Sequence, residues 1–143
     1  MVHVLRGVTM IDQRISLRAV ERPQAPGTEE NFSWFCESLG LTHGRDLDTT
    51  AERVVLQILE EVAEEPGVSS ARVAERLAIT PGRVNHHVRN LVATGLLYRR
   101  KKLIYLRGGS LAAAVAEMRK DADRIFDELG AVAETLDREI GRR

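Results

Sequence analysis

The stretch Val68–Arg107, VSSARVAERLAITPGRVNHHVRNLVATGLLYRRKKLIYLR, determines the fold of this chain. It contains two short segments with helical periodicity, joined by a turn at Ala78–Ile79, and then two β-type runs that flank Lys101–Lys102. Thr80–Pro81 is a strong start for the second helix, because threonine accepts a free backbone N–H and proline lacks one. The pattern predicts a helix, a turn, a second helix and a two-stranded hairpin.

Positive charge is concentrated in this stretch, although the whole chain has a formal net charge of zero. Residues 70–109 contain nine Lys and Arg side chains, and Glu75 is their single acidic residue. Residues 1–69 carry 6 basic and 12 acidic side chains, and residues 110–143 carry 6 basic and 8 acidic ones. A basic helix–turn–helix with a basic hairpin is typical of a surface that binds double-stranded DNA.

The second helix of the motif, Pro81–Ala93, separates apolar from polar side chains at the helical period. A helix-turn-helix inserts the N-terminal half of this helix into the major groove. Arginine and asparagine in that half can form paired hydrogen bonds with guanine and adenine, respectively. The predicted DNA-binding residues of the motif and the hairpin tip are Ser70, Thr80, Gly82, Arg83, Asn85, His86, Arg89, Asn90, Arg99, Arg100, Lys101 and Lys102.

Residues 79–100, ITPGRVNHHVRNLVATGLLYRR, resemble the winged helix-turn-helix of ArsR- and MarR-type transcription regulators of bacteria and archaea. They fit the pattern S/T-x-x-x-V-S/N-x-H-L/V-x-x-L-x-x-x-G-L-L/V at every marked position. The resemblance implies that Asn85, His86 and Arg89 face DNA. It implies that four other side chains support the core, namely Val84, His87, Val88 and Leu91. Metal-sensing ArsR proteins carry cysteines in the preceding helix, which here is ARVAERL and contains none.

The segment from Ser110 onward predicts one long helix that Ser110 caps. Its apolar residues recur at alternating spacings of four and three, which is the heptad pattern of a coiled coil. They are Leu111, Val115, Met118, Ala122, Ile125, Leu129, Val132 and Leu136. A helix of about 30 residues is about 45 Å long, more than a small domain is wide. We therefore expect the helix to pair two copies of the chain as a homodimer rather than fold back on its own domain.

The N-terminal part predicts a β-hairpin over Val2–Val20 with a turn at Asp12–Gln13, followed by a linker over Arg22–Asn31. A short amphipathic helix, NFSWFCESLG, then ends at Gly40, and its Cys36 is interpreted as a buried thiol. The aromatic side chains of this helix either dock it onto the core or a partner subunit, or they line an effector pocket. They are Phe32, Trp34 and Phe35.

These patterns predict a mainly α (α+β) fold in three parts. An N-terminal extension covers residues 1–48, a winged helix-turn-helix DNA-binding domain covers residues 49–109, and a coiled-coil-like dimerisation helix covers residues 110–143. Ser70 is expected to cap the first helix of the motif. Whether the chain starts at Met1 or Met10, and whether a small-molecule effector exists, stays open.

The predicted function is that of a homodimeric transcription regulator that binds double-stranded DNA. The alternative is a non-catalytic winged-helix module that binds protein in a transcription or repair assembly. The sequence contains no phosphate loop, nucleophile–base motif or metal-ligand cluster, so we expect no enzyme, cofactor or metal. It also lacks a membrane-spanning run and a signal peptide, and its single cysteine fits a cytoplasmic location.

Overall fold

The computed structural model describes residues 4–5, 8–9, 12–24, 27–42 and 49–141. The described residues form a mainly helical fold with a two-stranded wing and a long C-terminal helix, as predicted. In chain order the elements are β1 (Val4–Leu5), β2 (Val8–Thr9), α1 (Thr28–Ser38), α2 (Thr50–Glu64), α3 (Ser70–Leu77), α4 (Pro81–Thr94), β3 (Leu97–Arg100), β4 (Leu103–Leu106), a 3₁₀ turn (Arg107–Gly109) and α5 (Leu111–Ile140).

Side-chain caps set the starts of three of these helices. Thr80 Oγ1 accepts a hydrogen bond from the backbone N–H of Arg83 at 3.2 Å, and Ser110 Oγ accepts one from Ala113 at 3.0 Å. Both caps were predicted. The predicted cap of α3 is wrong: Ser69 Oγ accepts the bond from the backbone N–H of Arg72, and Ser70 is the first helical residue. Adjacent serines have the same capping chemistry, so the sequence could not distinguish them.

The core lies between α2, α3, α4 and the wing, and the start of α5 closes it. Each helix contributes one apolar face, because only one side of a surface helix can be removed from water. The buried apolar side chains of this cluster are Val54, Val55, Ile58, Val68, Val73, Ala74, Val84, Val88, Leu91, Leu96, Leu97, Ile104, Leu106, Ala114 and Met118.

The wing is the antiparallel pair of β3 and β4, with Leu97 opposite Leu106 and Arg100 opposite Leu103. Val68, just before α3, adds a bridge to the outer side of β4, since its backbone exchanges two hydrogen bonds with Ile104. This bridge joins the wing to the start of α3.

The N-terminal hairpin predicted over Val2–Val20 is not confirmed. β1 and β2 pair antiparallel, but each has two residues and both lie inside the first predicted strand, whose Val2 and Met10 are outside the described residues. Residues 12–20 form no strand. Their backbone bonds go to helix ends instead, because Arg14 N donates to Ala93 O and Arg18 N donates to Ser38 O.

Helix α1 begins at Thr28, so the predicted linker over Arg22–Asn31 is too long. Glu30 accounts for the earlier start, because its side chain accepts a hydrogen bond from Gly27 N at 2.9 Å and so caps the first turn. Phe32 and Phe35 pack against the core cluster, as one of the two interpretations expected. Trp34 Nε1 donates to Val20 O at 2.9 Å and so holds the N-terminal segment against the helix.

Helix α5 has two halves with different surroundings. In the proximal half, Leu111–Ala122, Ala114, Met118 and Asp121 are buried. In the distal half, Asp123–Ile140, every residue is exposed. The proximal half therefore belongs to the core of the wing and of α2–α4, and the distal half extends beyond it.

Candidate nucleic-acid interface

Helix α4 presents a polar face to solvent and an apolar face to the core. Val84 and Val88 are fully buried and hold the helix in place. His86, Arg89 and Asn90 are exposed on the other side, as predicted from the helical period. Gly82 is also exposed, and a Cβ placed there would come no closer than 3.9 Å to Thr80 Oγ1, so no internal contact requires glycine at this position.

Asn85 is half-buried and is engaged within the protein. Its Oδ1 accepts a hydrogen bond from Ser70 Oγ at 2.6 Å and another from Arg99 Nη2 at 2.7 Å. Arg99 Nη2 also donates to Ser70 Oγ at 3.2 Å. These three predicted DNA-binding residues therefore form one polar cluster, which joins the start of α3, the middle of α4 and strand β3.

Arg83 extends back toward α2. Its Nη2 donates to Thr50 Oγ1 at 3.1 Å, and Thr50 is buried at the start of α2. The guanidinium group of Arg83 thereby ties the first turn of α4 to α2, a role that no local sequence signal indicated.

The wing tip combines positive charge with an unfavourable backbone conformation. Arg100, Lys101 and Lys102 are exposed, and the two lysines form the turn between β3 and β4. Their φ angles are +50° and +69°. Residues other than glycine and asparagine adopt this region at a cost of about 1–2 kcal/mol each. A two-residue hairpin turn can require positive φ at both central residues, where asparagine and glycine are usual and this chain has two lysines.

Within the part of the chain that the structure describes, three of the nine basic residues counted in the sequence form ion pairs with acids outside residues 70–109. Arg72 and Arg76 contact the buried carboxylate of Glu61 on α2, with N–O distances of 2.9 and 3.7 Å. Arg107 contacts Asp121 on α5. The other six, namely Arg83, Arg89, Arg99, Arg100, Lys101 and Lys102, lie on α4 and the wing. The positive charge is therefore more localised than the sequence count indicated.

Asp121 is a buried carboxylate that no local sequence pattern indicates. It accepts hydrogen bonds from Arg107, Gln13 and Arg124, and its side chain is 3% exposed. The hydrogen bond from Arg107 holds the pKa of the Asp121 carboxyl well below its usual range, against the opposing effect of burial. The same bond raises the pKa of Arg107. Both groups are charged at neutral pH.

Cys36 is fully buried, as predicted, and burial followed by the nearby charge of Glu52 raises the pKa of its thiol to about 12. Within the described part of the chain, no three His, Cys, Asp or Glu side chains group together as metal ligands would. Over the same residues, no helix combines the length and apolar character needed to cross a membrane.

Two concave regions adjoin the N-terminal segment. One, of about 490 Å³, lies between residues 12–16, the end of α1 and helix α4, with Arg14, His87 and Asn90 among its polar lining. The other, of about 310 Å³, is mainly apolar and lies between Ile15, Leu17 and the side of α5. The aromatic residues of α1 line neither of them, but Phe32 lines a third concave region, of about 590 Å³, between the start of α1 and α2.

Comparison with known proteins identifies the class of this chain. Residues 52–98 match the family model of winged helix-turn-helix DNA-binding domains. The match runs from α2 through the first residues of the wing, so the chain carries a DNA-binding domain of the winged-helix class. The resemblance to winged helix-turn-helix regulators that the sequence predicted is confirmed.

Among solved structures, the chain is similar to the crystal structure of the MarR family protein Rv2887 of Mycobacterium tuberculosis. The two are 30% identical, the match covers 78% of this chain and 80% of that one, and the TM-score is 0.40. No curated protein matches the chain.

Proposed function

We propose that this chain is a transcription regulator that acts as a homodimer and recognises DNA sequence through α4 and the wing. One observation carries the proposal. Asn85 on α4 and Arg99 on the wing are joined by a 2.7 Å hydrogen bond, so the helix and the wing form one continuous surface. All the basic residues of the motif that are not paired with Glu61 or Asp121 lie on these two elements.

The proposed contacts divide by position. His86, Arg89 and Asn90, on the exposed face of α4, would contact base edges and the adjacent phosphates. Thr80 and Gly82, at the start of α4, would lie near phosphates, which a helix N-terminus favours. Asn85 Oδ1, Ser70 Oγ and Arg99 Nη2 are engaged with one another, and Arg83 Nη2 with Thr50 Oγ1. These residues would contact DNA through their remaining donors or by exchanging those hydrogen bonds.

The wing tip would supply contacts that do not depend on sequence. Arg100, Lys101 and Lys102 are exposed and close together at the turn, where they can approach the phosphate backbone. Each neutralised phosphate makes binding more sensitive to salt.

The distal half of α5 supports the homodimer. Leu129 and Val132 are each 58% exposed, and Ile125, Leu136 and Ile140 continue the same apolar stripe. An exposed apolar stripe of this length is typical of an interface rather than of a free surface. A symmetric pair of α5 helices would present two recognition surfaces to half-sites about one helical turn apart.

The division into residues 1–48, 49–109 and 110–143 is part of this proposal, with the dimer contacts confined to the distal half of α5, because Ala114 and Met118 of the proximal half pack in the winged-helix core. So is a cytoplasmic location, because the regulators that the sequence resembles act on DNA in the cytoplasm of bacteria and archaea.

The experiment is the selection of bound duplexes from a random library, with the mass of the protein in solution measured in parallel. The proposal expects an enriched motif with two related half-sites and a dimeric mass. If no duplex is enriched and the chain binds heparin as well as it binds DNA, the proposal is wrong. A stable protein partner recovered under those conditions would then favour the interaction module.

A paired substitution at the wing tip distinguishes a loss of DNA affinity from a loss of protein stability. Changing Lys101→Asn together with Lys102→Gly suits the positive φ angles of the turn and removes two charges. We expect the variant to be at least as stable as the wild type, to bind all duplexes more weakly, and to lower the slope of log affinity against log salt by about 2.

Arg76→Gln is the matched control for charge. It also removes a positive charge from the helix-turn-helix, but that charge lies beside Glu61 rather than on α4 or the wing. A change in salt slope for Arg76→Gln as large as half that of the paired wing variant would contradict the proposed surface.

A further inference from the structure

The buried Asp121 lies where three separate segments of the chain meet, namely the N-terminal segment, the turn after the wing and α5. Arg107, at the end of the wing, donates to both of its oxygens, and Gln13 of the N-terminal segment donates at 2.8 Å. Arg124, one turn further along α5, donates at 2.9 Å. Asp121 itself is 2% exposed.

The same donors also hold the C-terminal end of α4. Gln13 Nε2 donates to Thr94 O at 3.3 Å, and Arg107 Nη1 is 3.4 Å from Gly95 O. Gly95 has φ +96°, and a Cβ there would lie 2.6 Å from Gln13 Nε2 and 2.9 Å from Arg107 Nη1. Glycine is therefore required at position 95, because its φ angle is positive and because the side chains of Gln13 and Arg107 leave no room for a Cβ.

A small change of angle at Asp121 moves the distal half of α5 by a large distance. From Asp121 to the end of the helix at Ile140 is about 28 Å at the rise of an α-helix. A rotation of about 10° at Asp121 would move that end by about 5 Å over this length. Gln13 and Arg107 form hydrogen bonds with Asp121 of α5 and also with carbonyl oxygens at the end of α4. These hydrogen bonds therefore fix the angle between the two helices.

We propose that Asp121 is a positioning residue that sets the spacing between the two DNA half-sites, by fixing the angle between α4 and α5. This inference rests on the proposed function, because it requires two half-sites and a dimer formed through the distal half of α5. Hydrogen bonds suit the role because they are directional. Apolar packing of the same volume could stabilise the junction without defining one angle as closely.

The test is duplex selection with the full chain, in which half-site sequence and half-site spacing are scored separately. The wild type is expected to select one spacing. Asp121→Asn removes the negative charge that Arg107 and Arg124 contact. Gln13→Ala removes the hydrogen bonds that the N-terminal segment donates to Asp121 and to Thr94 O. Both variants are expected to select the same half-site sequence over a wider range of spacings. The range should broaden by about one base pair, which moves a half-site by about 3.4 Å along the duplex and rotates it by about 35° about the duplex axis.

Asp127→Asn is the matched control, because Asp127 is exposed on the same helix and lies opposite the apolar stripe. It should select the wild-type spacing. If Asp121→Asn does not fold, Gln13→Ala decides the question, since it leaves the buried charges paired.

Folded variants that keep the single wild-type spacing would overturn the inference and leave the proposed function standing. A wild type that selects no paired half-sites would instead overturn the proposed function.

Discussion

The two halves of α5 share one heptad pattern and differ in what covers it. In the proximal half, Met118 is 4% exposed and packs into the core with α2, α4 and the wing. In the distal half, Val132 occupies the same heptad position two heptads further on and is 58% exposed. Heptad spacing therefore identifies an apolar face of a helix, but it does not identify what that face contacts.

The difference between the halves lies in their neighbours. The proximal half follows directly after the 3₁₀ turn Arg107–Gly109, and its Ala114 and Met118 belong to the buried apolar cluster. Beyond Ala122 the helix has left that surface. Asp121 marks the boundary, and it is the last residue of α5 that is buried.

The largest expected effect comes from removing the carboxylate at this boundary. Asp121→Ala should lower the free energy of unfolding by about 3 kcal/mol, because it leaves the half-buried Arg107 with Glu117, 4.0 Å away, as its remaining acidic neighbour. Asp127→Ala, one and a half turns into the distal half, should change it by less than about 0.5 kcal/mol. Urea unfolding of both variants measures the difference. Equal values would show that the boundary does not lie at Asp121.

The second prediction compares matched truncations in the two halves. Met118→Ala should lower the free energy of unfolding by about 2–3 kcal/mol, since it opens a cavity in the core. Leu129→Ala should leave the unfolding of the dilute, monomeric chain nearly unchanged and should weaken self-association. Unfolding at low protein concentration and sedimentation at high concentration distinguish the two effects. A large loss for Leu129→Ala in the monomer would mean that the distal half is also covered by its own chain.

The third prediction uses low pH to protonate Asp121 and so remove its contribution to the free energy of unfolding. Because the folded-state pKa of Asp121 is lowered, its stabilisation is fully present above the unfolded pKa of about 4. It is lost as pH falls from about 5 toward the lower folded value. The groups that face it are Arg107, Arg124 and the amide of Gln13, and Glu117 lies 4.0 Å from Arg107.

The measurement is the difference in unfolding free energy between the wild type and Asp121→Asn, taken at several pH values. This difference should shrink as pH falls from 5 to 3, because asparagine does not titrate. A difference that stays constant over this range would contradict the lowered pKa.

The smallest effect is expected at Gly130 in the distal half. A Cβ at this position meets nothing within 4 Å, so alanine can be accommodated. Gly130→Ala should raise the free energy of unfolding by up to about 1 kcal/mol, by the difference in helix propensity. Thermal unfolding measures it, and a destabilised variant would show that the glycine provides room for a partner helix.

Much of the fold was predictable because its signals are local. Thr80–Pro81 predicted the start of α4, and Ser110 predicted the start of α5. The pair of lysines between two β-type runs predicted the turn of the wing. The alternation of Val84, Val88 and Leu91 with polar residues also predicted correctly which side of α4 is buried. Each of these signals involves residues within a few positions of one another.

The parts that could not be predicted depend on contacts between distant residues. Gln13, Thr94, Arg107 and Asp121 meet only in the folded chain, so nothing in the sequence indicated the cluster. Residues 12–20 alternate like a strand, yet their backbone bonds go to helix ends. The charge count over residues 70–109 could not show that Glu61, on a preceding helix, pairs with Arg72 and Arg76.

The burial of Cys36 has a practical consequence for measuring the assembly. It is the single cysteine of the chain, it is fully buried, and its raised pKa keeps it as the unreactive thiol at neutral pH. The wild-type protein should therefore react slowly with maleimide or methanethiosulfonate reagents. A cysteine introduced on the exposed side of the distal half, for example by Glu134→Cys, would be labelled selectively. Spin or fluorescent labels could then report distances within the assembly without first removing the native thiol.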